Sequence, residues 1–352
     1  MSQQPDLPLE ARNYTLGGPE AARAIARGLV NGQWYQTPVD RKVMKELTRR
    51  TDAPALRDTA LWLALLVGFG GLGILTWGSW WAIPVFIIYG LLYATAADSR
   101  WHECGHGTAF KTPWLNVTVF QIANFFLLSN PVVSWWSHMR HHTDSIIVGH
   151  DPEIPAMRPP ELWLIFANVF GLVAATRNYA TMIRLALGKL TQDETTYVPD
   201  TARRGAFLVA RIHLAIHAGS WVVAVWIDSL LPLMLIGLPR FYGIWLSFVM
   251  GLPQHLGLAE DVLDHRLNSR TIMMGPVLRF FYSNMNFHIE HHMFPMVPYH
   301  RLPALHDAIK HDCPPPYGSL WQVWVELVPV MFRQLHHPAH FIDRSIPGDS
   351  VR

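Results

Sequence analysis

The sequence contains few charged residues. Asp, Glu, Lys and Arg make up 15% of its 352 residues, against about 25% in an average soluble domain. The formal net charge is only +2, so the chain lacks the strongly basic character of a nucleic-acid-binding protein. Half of the residues are hydrophobic and 15 are Trp. This composition predicts a membrane protein with aromatic side chains at the interface.

Cysteine is also scarce. The chain has two, Cys104 and Cys313, which excludes a framework of several disulfides and a cysteine-ligated zinc or iron–sulfur site. The first residues, MSQQPDLPLEARNY, have no basic start followed by an apolar core. We therefore expect no cleaved signal peptide.

Four apolar runs are each long enough to cross the membrane as a helix, at about 1.5 Å per residue and about 30 Å of hydrocarbon. The runs are 60–78, 79–97, 205–227 and 231–252. They predict an all-α integral membrane protein with four transmembrane helices in two hairpins. Trp77, Trp80 and Trp81 lie at the first hairpin's turn, where interfacial aromatic residues are expected.

The polar segments carry most of the basic residues. An even number of spans places 1–58, 98–204 and 259–352 on one side of the membrane, and these segments hold nearly all the Lys and Arg. Because positive residues concentrate on the inner side, we expect this common face to be cytoplasmic.

This topology divides the chain into three parts. We expect a cytoplasmic N-terminal segment at 1–58, a transmembrane domain with a cytoplasmic helical cap at 59–312, and a cytoplasmic tail at 313–352. Within the cap, the interrupted apolar stretches 114–133 and 162–180 predict helices that lie in the interface or pack on the membrane domain.

Histidine is concentrated in three short motifs, HECGH, HMRHH and HIEHH. Their histidines are His102, His106, His138, His141, His142, His288, His291 and His292. Residues three and four apart share one face of a helix, so each motif can direct its rings at one point. The predicted topology brings all three motifs to the cytoplasmic side.

Eight imidazoles exceed what one metal ion can use, but two ions could take four or five ligands each. Imidazole suits Fe, Zn, Cu and Ni, so the ligand type does not select the metal. His255, in GLPQHLGL at the end of the fourth predicted span, is a ninth candidate.

The other histidines are predicted to have ordinary structural roles. His213 and His217 lie inside the third span, and intramembrane histidines can be ligands or line a polar tunnel. We favour interhelical hydrogen bonding for this pair, with Arg211 nearby. The histidines expected at the surface are His150, His265, His300, His306, His311, His336, His337 and His340.

The ordered set HxxxH, HxxHH and HxxHH, with two membrane hairpins, resembles the membrane-bound fatty acid desaturase and hydroxylase superfamily over residues 60–300. The resemblance implies four spans and a cytoplasmic cap that holds two non-haem Fe ions. The eight motif histidines would be the ligands, with His255 as a further one and O2 as the co-substrate. The third box begins with His288, whereas front-end desaturases have glutamine there.

The stretch from AEDVLDHRLNSRT to the third box is most similar to a bacterial subgroup that includes the rhizopine-catabolism oxygenase. The resemblance implies desaturation or hydroxylation of an unactivated C–H bond in a lipid or acyl chain, and a small polar substrate is the alternative. No HPGG haem-binding segment is present in the sequence, so we expect electrons from a separate ferredoxin, of the Rieske type in that subgroup, and its reductase. We expect an inner bacterial membrane, with the active site facing the cytoplasm.

Acidic and amide side chains near the boxes are candidates to support the ligands. Carboxylates can accept the outer N–H of a ligating ring, and an amide can bind a metal-bound water. The candidates are Glu103, Glu290, Asp144, Asp151, and Asn284 or Asn286. Surface salt bridges and helix capping are the alternative roles.

Two other functions would also use membrane histidines. A metal transporter places its ligands near the midplane on broken helices, and only His213 and His217 fit that placement. A bis-histidine haem carrier uses two axial ligands, which does not explain the crowded HxxHH motifs.

Overall fold

A computed structural model describes residues 12–347. Within that range the protein is helical, and β-structure is limited to isolated bridges between Thr271 and Phe287 and between Ile272 and Tyr317. The α-helices in chain order are α1 Pro19–Ala26, α2 Arg41–Leu47, α3 Ala53–Thr76, α4 Ala82–Gly90, α5 Ala96–Gly105, α6 Pro113–Phe126, α7 Pro131–Thr143, α8 Leu162–Val169, α9 Leu172–Ala186, α10 Gln192–Tyr197, α11 Asp200–Trp226, α12 Leu231–Leu235, α13 Pro239–Tyr242, α14 Trp245–Gly251, α15 His265–Asn268, α16 Pro276–Tyr282, α17 His288–Met293, α18 Leu302–Ile309 and α19 Leu320–His336. Short turns of 3₁₀-helix cover Leu252–Gln254 and Tyr299–Arg301.

Three helices among the described residues are long and apolar enough to cross a membrane. They are α3, the continuous helix Ala82–Gly105 formed by α4 and α5, and α11. Each covers most of one of the first three predicted spans, 60–78, 79–97 and 205–227. Trp80 and Trp226, at the ends of two of these helices, are more than four-fifths exposed, as aromatic residues of an interfacial belt would be.

The fourth predicted span, 231–252, is not a continuous helix, and the prediction of four unbroken spans is corrected here. The segment forms α12, α13 and α14 in sequence. Gly237 between α12 and α13 has φ of +94°, and Gly243 lies so close to α4 that a Cβ there would be 1.9 Å from the Gly90 carbonyl oxygen. Both backbone conformation and packing therefore break the helix at these positions.

Helices α6 and α7 form a bent pair with an angle of 104°, which counts as a fourth span only if the two are one membrane segment. Leu128 in the connection has φ of +57°. The Asn130 side chain caps α7 by accepting from the backbone N–H groups of Val132 and Val133. The bend turns α7 out of line with α6 and across the end of α5, where the first histidine motif lies.

A π-helical segment, Leu91–Thr95, joins α4 to α5. π-Helical turns alter the regular hydrogen-bond ladder of a helix, and here the Leu92 carbonyl accepts a bond of 2.7 Å from the indole N–H of Trp62 on α3. Trp62 is fully buried. This contact fixes the first two spanning helices against each other just below the site.

Candidate metal centre

The three histidine motifs come together at one end of the helical bundle. His102 lies on the last turn of α5 and His106 directly follows it, while α7 and α17 carry the second and third motifs. His255 follows the 3₁₀ turn Leu252–Gln254. Four separate parts of the chain therefore supply imidazole rings to the same place, and these rings form two groups.

The first group contains five rings, and one nitrogen of each lies within 4.8 Å of the corresponding nitrogens of the others. Its members are His102, His106, His138, His142 and His291. The Nε2 atoms of His102 and His291 are 2.7 Å apart, and those of His106 and His138 are 3.1 Å apart. Several Nε2 atoms thus point at one another across the centre of the group.

The second group contains His141, His255 and His292, which satisfy the same distance limit. His288 adjoins them, because its Nε2 lies 2.9 Å from Nε2 of His255 and 3.0 Å from Nε2 of His292. All four residues of this second group are buried. The two groups together account for all nine candidate ligands.

Several rings have their outer nitrogen, Nδ1, held by an acceptor. His138 Nδ1 lies 3.0 Å from Glu153, and His141 Nδ1 lies 2.8 Å from Asp151. His255 Nδ1 lies 2.8 Å from the Asn268 backbone carbonyl. Because these acceptors favour the proton on Nδ1, they leave the Nε2 lone pair facing the group.

Burial favours the neutral, ligand-competent form of the α17 rings. The pKa values of His288, His291 and His292 lie well below the ordinary value, first because desolvation penalises the charged ring and then because neighbouring histidines repel it. A neutral imidazole is the form that binds a metal. Burial opposes the charge on Glu153, but His138 and its hydrogen bond hold the pKa of that carboxylate below its usual value.

The donor set fits two metal ions. Neutral rings that turn their lone pairs toward a common point cannot all hydrogen-bond to one another, since each such contact needs one donor. A cation at the centre of each group would satisfy these nitrogens together. Five and four imidazoles are compatible with iron and do not exclude other first-row metals.

The predicted supporting acids have different surroundings. Asp151 accepts from His141 and from the Ile146 backbone N–H, which is the arrangement expected of it. Glu103 is buried, with Oε1 at 3.8 Å from the outer nitrogen of His291, and neither of these two atoms has a hydrogen-bond partner among the described residues. Asp144 instead accepts from Arg140 Nε at 2.7 Å.

The structure directs Glu290 and Asn286 away from the metal-site rings. Glu290 accepts from His306 Nδ1 at 2.5 Å and from the Thr271 hydroxyl at 2.6 Å, because its position on α17 lies on the face opposite the ligands. Asn286 donates to the Ile272 backbone carbonyl at 2.8 Å. These contacts fix α17 against the segment that precedes α16. Glu290 and Asn286 therefore support the metal-site rings indirectly, by holding the helix that carries them.

The candidate Asn284 also lies outside the ring groups. It accepts from Arg279 Nε at 2.7 Å and donates to the Tyr299 backbone carbonyl at 2.9 Å. Its φ is +55°, a conformation that Asn adopts more readily than most residues. The side chain therefore links α16 to the 3₁₀ turn Tyr299–Arg301.

Sequence reasoning missed two side chains that hold the rings. Glu153 supports His138, and the Ser145 hydroxyl lies 3.1 Å from His292 Nδ1 while donating to the His141 carbonyl. The only sequence signal for Glu153 is its place two residues after Asp151. Nothing local marks Ser145, since its partner is 147 residues away.

Three histidines expected at the surface are buried, and that expectation is corrected. His265 is 3% exposed and its ring stacks on Trp34 with centroids 4.2 Å apart. His306 reaches the buried Glu290, and His150 packs between Arg140 and the Ala21 carbonyl. Tertiary contacts, which the flanking sequence does not reveal, cover each of these rings.

His213 and His217 of α11 lie apart from both groups. Both are buried, and their rings pack on Phe125 with centroids 5.1 and 5.2 Å away. His213 Nδ1 and His217 Nε2 have no hydrogen-bond partner among residues 12–347, and Arg211 donates to the Ala186 carbonyl. Aromatic packing therefore replaces the interhelical hydrogen bonds expected for these atoms.

Three cavities adjoin this end of the bundle. One of about 460 Å³ contains Arg100, Glu103 and Tyr299 in its wall. A second, of about 550 Å³, is bounded by the indoles of Trp135 and Trp136. A third, of about 290 Å³, lies between α5, α9 and α14.

The comparisons with known proteins all point to the same family. The family model described as fatty acid desaturase matches residues 78–324. The chain is 23% identical over 242 residues to Fatty acid desaturase 3 of Homo sapiens, covering 60% of this chain and 51% of that protein. It is 24% identical over 298 residues to Delta(8)-fatty-acid desaturase 2 of Arabidopsis thaliana, covering 72% of this chain and 64% of that protein.

Fatty acid desaturase 3 of Bos taurus is 23% identical over 256 residues, covering 63% of this chain and 54% of that protein. The chain thus spans between half and two thirds of the length of these relatives. The family match extends from the turn after the first spanning helix into α19 and includes all three histidine motifs and His255. Because it covers more than half of the 352 residues, the chain belongs to the fatty acid desaturase family.

Proposed function

We propose that this protein is an O2-dependent membrane oxidoreductase that uses two Fe ions to oxidise an unactivated C–H bond. The observation that carries the proposal is the pair of histidine groups, with five and four rings, at one end of three membrane-length helices. The named relatives are fatty acid desaturases, which supports this reaction class.

When bound, the two ions would supply electrons to O2 and provide the oxidant for the C–H bond. The protein's own residues prepare the site. Glu153 and Asp151 orient His138 and His141 through their outer nitrogens, and the buried environment of α17 keeps water from its rings. This preorganisation fixes where a substrate carbon must lie for reaction.

The overall reaction consumes one O2, two electrons and two protons. Hydroxylation places one oxygen atom on carbon and releases the other as water, whereas desaturation removes two hydrogens and releases two waters. We propose that the electrons come from a separate ferredoxin and its reductase. The metal groups lie at the end of the bundle that also carries the polar segments, which supports delivery from the cytoplasmic side of an inner bacterial membrane.

The substrate has two candidate classes. The printed names of the relatives support an acyl chain. The cavity of about 290 Å³ supports a small polar molecule, because Asp98 and Arg240 lie in its wall. Both classes contain the saturated carbon that this chemistry requires.

The test is turnover by purified protein with ferredoxin, its reductase, NADH and ¹⁸O-labelled O2, using acyl and small polar substrates. The proposal predicts a product that either gains one labelled oxygen or loses two hydrogens. His291→Ala should give neither product. Labelled product from the His291→Ala variant, or metal flux in proteoliposomes that is independent of His291, would contradict the proposal.

A further inference from the structure

The cavity of about 290 Å³ opens on the same face of α5 as the metal ligands. Asp98 in its wall lies four residues before His102, so the two side chains share one helical face. On the other side, Gly251 and Leu252 in the wall come just before His255. The cavity therefore lies about one helical turn from a ligand of each metal group.

The larger cavity of about 460 Å³ meets α5 on another face. Arg100 and Cys104 in its wall are spaced four apart and do not share the face of Asp98 and His102. Glu103 in its wall lies 3.8 Å from the outer nitrogen of His291. A substrate in this cavity would be separated from His291 by the Glu103 side chain.

Two opposite charges line the 290 Å³ cavity without pairing. Arg240 is 7% exposed, and its Nε donates to the Leu127 carbonyl. Its Nη1 has no partner among the described residues but is itself fully buried, so this atom does not face the open space of the cavity. Asp98 accepts from the indole N–H of Trp101 at 3.0 Å and from the Ser247 hydroxyl. Within residues 12–347 neither forms a salt bridge with the other or with a third group.

Arg240 is buried, whereas Asp98 is only partly buried. The attraction of Asp98 for Arg240 offsets part of the free-energy cost of burying the guanidinium, without a hydrogen bond between the two side chains. The fold keeps them apart across a space. A ligand with an anionic and a cationic group could pair with Arg240 and Asp98 at the same time.

This cavity is closed on the side of α4. Ile244 and Ser247 in its wall follow Gly243, which packs on the Gly90 backbone too closely to admit a side chain. The Thr95 hydroxyl donates to the Gly243 carbonyl at 2.6 Å and accepts from the Ser247 N–H. No room remains at this seam for a long chain to continue between α4 and α13.

We propose that this cavity binds a short zwitterion as the substrate, with its carboxylate on Arg240 and its ammonium group toward Asp98. The aliphatic carbons between the two charges would then lie beside the helical turn that precedes His102 and the segment that precedes His255. This proposal rests on the function proposed above, and it names the substrate class of the same site.

The test measures ligand binding by calorimetry with the purified, iron-loaded protein. The probes are straight-chain amino carboxylates with one to five methylenes between the charged groups, the matching carboxylates and amines, and hexadecanoate. One amino carboxylate should bind more tightly than either singly charged analogue. Arg240→Gln should weaken binding of that probe and of the carboxylate by at least about 30-fold, and should leave amine binding unchanged.

Asp98→Asn should show the opposite pattern, with weakened amine binding and unchanged carboxylate binding. This variant tests the proposal independently if Arg240→Gln fails to fold. Arg240→Lys keeps a positive charge and should retain part of the carboxylate affinity that Arg240→Gln loses. The matched control is Arg57→Gln, since Arg57 lines the 460 Å³ cavity with a side chain that is 77% exposed. This variant should bind every probe normally.

Hexadecanoate binding at least as tight as the best amino carboxylate would overturn the proposal. So would equal weakening of all probes in both cavity variants, or weakened binding in Arg57→Gln. The function proposed above is tested separately by metal content and product formation. If the probes bind with the expected pattern to a protein that takes up no iron when iron is supplied, the zwitterion site stands and the di-iron reaction is contradicted.

Discussion

The HxxxH spacing occurs at α5, as His102 and His106, and at α11, as His213 and His217. The two histidine pairs have different surroundings. On α5, His102 meets rings from α7 and α17 and becomes part of a five-membered group with His106. On α11, His213 and His217 pack on Phe125, and each has one nitrogen with no hydrogen-bond partner in the part of the chain that the structure describes. Spacing makes two rings neighbours, but only convergence of other chain segments makes them a metal site.

The difference lies in what surrounds each pair. Near α5 the fold supplies further histidines from three elements, and acceptors such as Asp151 and Glu153 orient two of those rings. Near α11 the neighbours are aromatic, including Tyr179 at 5.7 Å from the His217 ring. The following experiments contrast a residue of the metal centre with a matched residue outside it.

Replacing a ligand should have the largest effect. His291→Ala removes a ring from the first group, so we expect loss of iron and a fall in turnover of more than about 100-fold. This is larger than the effect of removing a residue that only hydrogen-bonds to a metal ligand. His217→Ala is the matched control and should keep both the iron content and the turnover. Iron analysis and product formation measure the two variants. Equal iron loss in His291→Ala and His217→Ala would contradict the claim that only the rings grouped at the end of α5 bind metal.

Removing an orienting carboxylate should have an intermediate effect. Asp151→Asn keeps the size of the side chain but removes the charge that holds His141, so we expect iron affinity to fall about 10- to 100-fold. Asp144→Asn, whose parent side chain accepts from Arg140, is the control. Competition with a chelator measures affinity. The orienting role fails if Asp144→Asn loses iron as readily as Asp151→Asn.

Acid should weaken the folded protein without metal. The pKa values of His288, His291 and His292 are lowered chiefly by burial, so below the unfolded value of about 6.5 the unfolded chain binds more protons than the folded one. The free energy of unfolding should therefore fall as pH falls from about 6.5, by up to about 1.4 kcal/mol per pH unit for each ring. Denaturant unfolding in detergent between pH 7.5 and 5 measures the slope.

His288→Gln supplies the control for this pH dependence. It removes one of the titrating rings, so the slope should become shallower by the contribution of one proton. An unfolding free energy of the wild-type apoprotein that stays constant over this pH range would show that the rings are not held neutral.

The smallest effect on iron binding is expected for Glu290, on the face of α17 opposite the ligand rings. Glu290→Gln weakens the buried contacts to His306 and Thr271, so stability should fall by about 1–3 kcal/mol while two irons remain bound. Asp307→Asn, at an exposed pair with Lys310, should leave stability unchanged. Thermal unfolding and iron analysis together measure both properties. Loss of iron from Glu290→Gln would place that carboxylate closer to the ions than its contacts indicate.

Local sequence patterns predicted much of the site. Hydropathy located the first three spans, and helical spacing aligned the rings within each motif. The nine candidate ligands, including His255, lie in the two groups that the structure brings together. Whether they bind iron remains a prediction for experiment.

Long-range contacts account for what the sequence did not reveal. The fourth predicted span is interrupted at Gly237, which has positive φ, and near Gly243, which packs on Gly90 across more than 150 residues. His265 is buried because Trp34 covers its ring. The position of Arg240 in the wall of the 290 Å³ cavity likewise depends on how α13 packs against α4, the π-helical segment and α9, which the local sequence does not reveal.

The central claim is that the two histidine groups each hold one iron ion. Metal analysis of anaerobically purified protein tests it most directly, with wild type beside His255→Ala and His217→Ala. The account predicts about two irons per chain in the wild type and His217→Ala, and about one in His255→Ala. Zinc in place of iron, or near-zero metal in the wild type, would contradict it.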